Sequence, residues 1–217
     1  MVREYSKRLA LCIFGLALCS FSNVISVKAG VVGTNAWNTL FMGISGISGL
    51  SFGGAALLVN CFVIAIDLIG GGKLGFGSVL NAVLIPYFSD LFLMMFDFLP
   101  AAPNPVWGMA YTLFAQLWLS FSVIVYMKAT LGCGPRDTLM VIVGRKMSRA
   151  PIGVAKLALE AAVLIVGTLL GAPFGLGSVM VLLLQASMFQ FACFVFRYEP
   201  RNAEHESIVD TIRRIRK

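Results

Sequence analysis

Six apolar runs alternate along the chain with short polar or glycine-rich connections. They cover about 8–27, 52–70, 77–97, 107–127, 152–170 and 177–196. A helix needs roughly 20 residues to cross the hydrocarbon core of a bilayer, so each run predicts one spanning helix. Two further segments differ in kind. Segment 34–50 is rich in Gly and Ser, and segment 132–149 carries Arg136, Arg145, Lys146 and Arg149. One is too short and the other too charged to read as a full span. The pattern predicts an all-α polytopic membrane helix bundle of six spans plus two short re-entrant segments. The bland alternative for both segments is a surface-lying helix or loop.

The runs fall into two halves that repeat about 100 residues apart, repeat one over about 8–97 and repeat two over about 107–196. Gly71-Gly72-Lys73-Leu74-Gly75-Phe76-Gly77-Ser78-Val79 matches Gly171-Ala172-Pro173-Phe174-Gly175-Leu176-Gly177-Ser178-Val179. Upstream, Gly33…Asn38-Thr39-Leu40 matches Gly132…Asp137-Thr138-Leu139. Duplicated hydrophobic halves mark many transporter folds, whose working site lies between the repeats.

Composition strengthens the membrane reading. Of 217 residues, 59% are hydrophobic and 12% charged, against about 25% charged in soluble domains. Mean hydropathy is +0.88. Residues 1–202 thus form one transmembrane domain. The net charge of +7 is not a nucleic-acid signal, because the basic residues sit at the ends of apolar runs and in the tail. That placement suits anionic lipid head groups at the cytoplasmic face. The tail, 203–217, places Ile208, Ile212 and Ile215 on one face of a short basic amphipathic helix; a frayed basic tail is the alternative.

Charge also predicts topology. Arg3, Lys7 and Arg8 precede the first run, five Lys/Arg lie within 128–149, and the tail is basic, whereas 98–106 has no basic residue. The positive-inside rule makes the first three cytoplasmic and 98–106 external. Lys73 then falls inside and Lys28 outside, a minor violation. Met1 to Ser20 imitates a signal peptide, but the run continues to Val27, so an uncleaved first helix is expected. The reading is a multi-pass plasma-membrane protein with both termini cytoplasmic. Each repeat crosses three times, an odd number, so the second must be inverted relative to the first. Segments 34–50 and 132–149 then enter from opposite sides and meet near the midplane, where irregular backbone is tolerated only under protein or water.

Superimposed repeats pair Asn38 with Asp137, Asn60 with Glu160, Ser78 with Ser178 and Asp90 with Gln190. In each pair containing an acid, the other repeat supplies a neutral amide. Carboxylates at membrane depth cost about 2.5–3.5 kcal/mol on insertion scales and normally face a wet cavity or the bundle interior. Lys156 lies one helical turn from Glu160, so an ion pair is available there. Asp90 follows Pro86, and a kink at that proline frees a carbonyl beside it. Asp67 and Asp97, near run ends, are expected at the interface. Pro135 suits a first helical turn, placing Arg136, Asp137 and Thr138 where an anion or a simple cap belongs. Asn38, Asn60, Asp90, Arg136, Asp137, Thr138, Glu160 and Gln190 are therefore the candidate substrate or ion contacts. Structural roles compete at each position.

Other chemistry is poorly supported. Cys12, Cys19, Cys61, Cys133 and Cys193 have no metal-ligand or CxxC spacing, and His205 is alone. The Gly75-x-Gly77-Ser78 and Gly175-x-Gly177-Ser178 turns lack the lysine and strand of a phosphate loop and read as tight helix connections. No nucleophile–base set appears, so neither an enzyme nor a cofactor is expected.

At Gly132-x-Gly134-Pro135-Arg136-Asp137-x-Leu139 and the two Gly-x-Gly-Ser turns, the chain resembles the YczE/YitT-like bacterial integral membrane proteins. The resemblance covers most of the chain. It implies an α-helical plasma-membrane protein with a transporter-like look and supplies no substrate. Where such proteins commonly show Pro-Trp-Asp, this chain has Ala36-Trp37-Asn38, which removes one acid from a symmetric two-acid mechanism. The expected function is a transporter or permease-like role for a small solute, with self-association left open. The alternatives are an S-component-like membrane-embedded binding subunit and a non-transporting scaffold or accessory protein.

Overall fold

A computed structural model describes residues 2–72, 75–132, 134–136, 138, 139, 142 and 152–198. Asp137, Cys133, Lys73, most of 140–150 and the 203–217 tail, all subjects of the expectations above, lie outside the described residues. The described regular structure is entirely helical. It comprises α1 (Val2–Lys28), α2 (Ala36–Ser48), α3 (Phe52–Ile69), α4 (Phe76–Met95), α5 (Pro105–Met127), α6 (Ile152–Leu169) and α7 (Leu176–Phe196), with a 3-10 turn at Gly30–Val32. Pro135, Arg136, Thr138, Leu139 and Ile142 are helical as well. Five of these helices, α1, α3, α4, α5 and α7, are long and apolar enough to cross a membrane.

Local chemistry sets the helix ends. Asn35 accepts from the Asn38 N–H at 3.0 Å to open α2, and Ser51 accepts from Gly54 N–H at 2.9 Å to open α3. Asn104 does the same for α5 through Trp107 N–H at 3.0 Å, followed by Pro105 at the first helical position. Gly49 closes α2 at φ 71°, a left-handed conformation that glycine adopts without steric cost. With 13 residues, α2 is about 20 Å long and falls short of the roughly 30 Å hydrocarbon core.

Two apolar cores organise the helices. Cys12, Leu16 and Cys19 of α1 pack with Ile85 of α4 and Tyr126 and Met127 of α5, and Phe189 of α7 packs against them. Trp37 and Phe41 of α2 pack with Ala55, Val59 and Val63 of α3 and with Leu139, joined by Leu159 and Val163 of α6. One group is therefore α1, α4, α5 and α7. The other is α2, α3, α6 and the helical residues around Leu139.

Helices α1 and α5 run antiparallel. Arg8 Nε near the start of α1 donates to Ala129 O at 2.9 Å, just beyond α5. In mid-helix Trp118 Nε1 donates to Leu18 O at 3.1 Å. A Cβ on Gly108, early in α5, would lie 2.6 Å from Ala29 O, just beyond α1. Lys28 Nζ donates to Asp97 O at 3.4 Å and Lys128 Nζ to Phe196 O at 3.4 Å, so matched lysines make matched contacts.

The glycine turns interlock reciprocally. Gly77 N–H donates to Leu131 O at 2.7 Å. A Cβ on Gly177 would lie 2.8 Å from Val32 O, and one on Gly132 would lie 3.0 Å from Ser78 Oγ. A Cβ on Gly33 would collide with Ser178 Oγ. Each Gly-x-Gly-Ser turn thus sits on the turn that follows the first helix of the other half. The two halves differ beyond this. The buried face of α4 meets α1 and α3, whereas α7 packs mainly on α5 and leaves Leu183, Phe191, Phe194 and Val195 exposed.

Candidate functional site

The two groups of helices meet along a line of buried polar side chains. Asn38 Nδ2 of α2 donates to Asn23 Oδ1 of α1 at 3.1 Å, and Asn23 Nδ2 donates to Ser89 Oγ of α4 at 2.9 Å. All three side chains are buried. Ser20 Oγ, one turn before Asn23, reaches Ile85 O at 3.1 Å. An amide kept from water holds its place only while its donors and acceptors are met. This chain of contacts therefore fixes α2 against α1 and α4. Asn23, Ser89 and Ser20 were not among the sequence candidates. Their signal was present as isolated polar residues in apolar runs, but repeat pairing did not pick them out.

The short segments touch at Arg136. Its guanidinium carbon lies 5.1 Å from the Trp37 ring centroid and 4.9 Å from that of Phe41. Cation–π attraction strengthens where water is scarce. Thr138 is buried, its hydroxyl bonding back to Gly134 O at 3.4 Å within its own turn. Glu160 is buried on α6 and faces Lys156 Nζ at 4.0 Å. Leu159 and Val163, flanking Glu160 in sequence, pack on the Trp37–Phe41 core. The helices that carry Asn38, Arg136 and Glu160 thereby share one aromatic core.

Two candidates have well-defined structural tasks. Pro86 has no N–H for the carbonyl four residues earlier, Ala82 O. Asn60 Nδ2 donates to that carbonyl at 3.1 Å. The carbonyl freed by Pro86 is therefore not beside Asp90 but about two turns before it, at Ala82, and it is already occupied. Asp90 itself accepts from Gly53 N–H at 2.6 Å and from the Ser51 hydroxyl. A carboxylate there caps α3 from a neighbouring helix and complements the positive end of its dipole. Asp90 also lines an open cleft of about 610 Å³ with Ser51, Phe52, Leu93, Met94 and Asp97. Gln190, its repeat partner, is exposed on α7.

Asp67 departs from expectation. It is fully buried, not interfacial, and neither carboxylate oxygen has a hydrogen-bond partner. Asp97 does behave as an interfacial residue, pairing with Lys28 Nζ at 3.6 Å from an exposed position. Among the described residues, no three His, Cys, Asp or Glu side chains converge as metal ligands would.

Comparison with known proteins places these features in a family. Residues 6–193 match the model of a family of unknown function, DUF6198. An uncharacterized protein of Haemophilus influenzae is 30% identical over 186 residues, 85% of this chain and 83% of the relative. The uncharacterized membrane protein YczE of Bacillus subtilis is 24% identical over 193 residues, 88% of each. The YczE-like resemblance read from the glycine motifs therefore holds. No solved structure matches.

Proposed function

Because this chain belongs to the DUF6198 family and is a membrane protein, we propose that it is a plasma-membrane carrier for a small polar solute, built from two inverted repeats. Each repeat contributes three spans and one short re-entrant segment, giving six spans in all. The supporting observation for inversion is the antiparallel course of α1 and α5, which are repeat equivalents. Equivalent helices that run in opposite directions belong to units turned over in the membrane. Both termini then face the cytoplasm and 98–106 faces out.

The observation that carries the functional reading is the meeting of the two short segments. Arg136 lies across Trp37 and Phe41, Asn38 follows Trp37 on α2, and buried Glu160 sits on α6 between Leu159 and Val163, which pack on the same core. Short helices ending inside a membrane bundle present polar groups at a depth where a solute must be bound without water. Neutral amides from one repeat and charged groups from the other suit a polar solute with an acceptor for Arg136.

Uptake into proteoliposomes across a small-solute panel, with and without a proton gradient, tests the proposal. A carrier moves at least one solute when purified alone. Glu160→Gln and Asp137→Asn, which keep shape and remove charge, are expected to insert normally while uptake is lost or becomes insensitive to pH. Binding without uptake identifies an S-component-like subunit, a second reading favoured by the exposed apolar face of α7. Neither binding nor uptake across the panel contradicts both.

A further inference from the structure

The acids of this chain are provided for in different ways. Asp90 accepts two hydrogen bonds, Asp97 pairs with Lys28, and Glu160 faces Lys156. Asp67 has none of these. It shows 0% exposure, and both of its carboxylate oxygens are without a partner.

Its place in the repeat explains why such a group is tolerated and where it acts. The equivalent position in repeat two is Gly167, where a Cβ would lie 2.6 Å from Leu40 N and 2.7 Å from Thr39 C. Gly167 thus marks the close crossing of α6 on α2. In repeat one the matching crossing is that of α3 on the segment containing Thr138, Leu139 and Ile142. The turn after Asp67 lies against that segment: Gly72 N–H donates to Asp67 O at 2.7 Å, and a Cβ on Gly72 would lie 2.7 Å from Thr138 Cγ2. Ile142 covers Gly70. An acid therefore stands in repeat one where repeat two needs a glycine, at the junction between α3 and the second short segment.

Among the described residues, the ionisable groups around it do not neutralise it. Among the described residues, α2 carries no charged side chain. The acid of α4, Asp90, is bound to the opposite end of α3. Arg136 of the short segment lies over Trp37 and Phe41. Cys61 of α3 itself is an exposed thiol. A bare carboxylate sealed among apolar groups is strongly disfavoured, whereas the neutral acid is not. A metal cation there would need several oxygen ligands, and the groups that cover the following turn, the Thr138 methyl and Ile142, are apolar.

We propose that Asp67 is a proton-binding site, filled in the buried arrangement described here and emptied when the end of α3 parts from Thr138 and Ile142. On release the carboxyl O–H bond breaks heterolytically. The proton passes to water entering from the cytoplasmic end of α3, and the charge stays on the hydrated carboxylate. A role for this proton in driving solute movement rests on the transport reading above; proton binding at Asp67 does not.

Infrared spectroscopy of the purified full-length protein in lipid nanodiscs, with carboxyl-13C aspartate incorporated, reads the site directly. Unlike ordinary aspartates, which titrate near pH 4, wild type is expected to keep one protonated-aspartate carbonyl band at about pH 7. Asp67→Asn is expected to lose that band while eluting and melting as a folded protein. Asp67→Gly, the residue repeat two uses, serves as the second variant. Added sodium is expected to leave the band unchanged. Absence of the band in wild type at about pH 7, its survival in both variants, or its displacement by sodium would each overturn the proposal. None of these readouts requires solute uptake, so failure here is distinct from failure of the carrier reading.

Discussion

The Asn60–Ala82 contact yields a sharp thermodynamic prediction. Asn60→Leu removes the amide that satisfies the carbonyl left unpaired by Pro86. Leaving a buried acceptor without a donor costs about 1–3 kcal/mol. Two terms reduce the net effect. Asn60 Oδ1 is itself buried without a partner, so removing it relieves part of that loss. Interhelical polar contacts in membrane proteins also average only about 0.6 kcal/mol in double-mutant cycles. A net loss near 1 kcal/mol is therefore expected for Asn60→Leu alone. In a Pro86→Ala background the restored N–H bonds to Ala82 O within α4, and the same substitution is expected to be nearly neutral. The cycle, followed by thermal or denaturant unfolding in one detergent, should return a coupling of about 1 kcal/mol. An equal cost of Asn60→Leu in both backgrounds would refute the assignment of Asn60 to the proline-freed carbonyl.

Three further outcomes follow from the helix crossings and caps. Gly167→Ala places a methyl 2.6 Å from Leu40 N and is expected to lower stability by about 1–3 kcal/mol. Gly46→Ala, with no atom near the new methyl, should leave the same unfolding curve unchanged or slightly raised. Asp90→Asn keeps the shape of the cap on α3 but removes its charge. It is expected to cost about 1 kcal/mol by the same measurement, and an unaltered midpoint would contradict the capping role.

Much of the helical layout was legible because apolar run length is a strong signal. The runs over 52–70, 77–97 and 177–196 become α3, α4 and α7 with ends displaced by at most two residues. The start of α1 was not, since Val2–Lys7 is polar helix that a hydropathy run does not reach. The site was legible only in part. Repeat pairing drew attention to Asn38, Asn60 and Glu160, all buried, but periodicity carries no information on which neighbour each would meet. Asn60 meets a backbone carbonyl, and Asn38 meets an asparagine 15 residues away that has no polar counterpart in the other repeat. Asp67 was misplaced because its nearness to the end of an apolar run suggested water. The following turn returns against Thr138 and Ile142, and that contact spans about a third of the chain. The reciprocal seating of the glycine turns was likewise hidden. Their duplication was visible, but that each would dock on the other half followed only from the fold.

Sidedness of repeat-equivalent positions tests the inverted architecture most directly. Ile69 and Leu169 end α3 and α6, occupy the same place in the two repeats, and are 89% and 80% exposed. In a background with all five native cysteines, the exposed Cys61 among them, replaced by Ser, single cysteines at the two positions are labelled in intact cells and in inverted vesicles with an impermeant maleimide. Ile69→Cys is expected to react only from the cytoplasmic side and Leu169→Cys only from outside. Reaction of both from the same side would contradict inverted repeats.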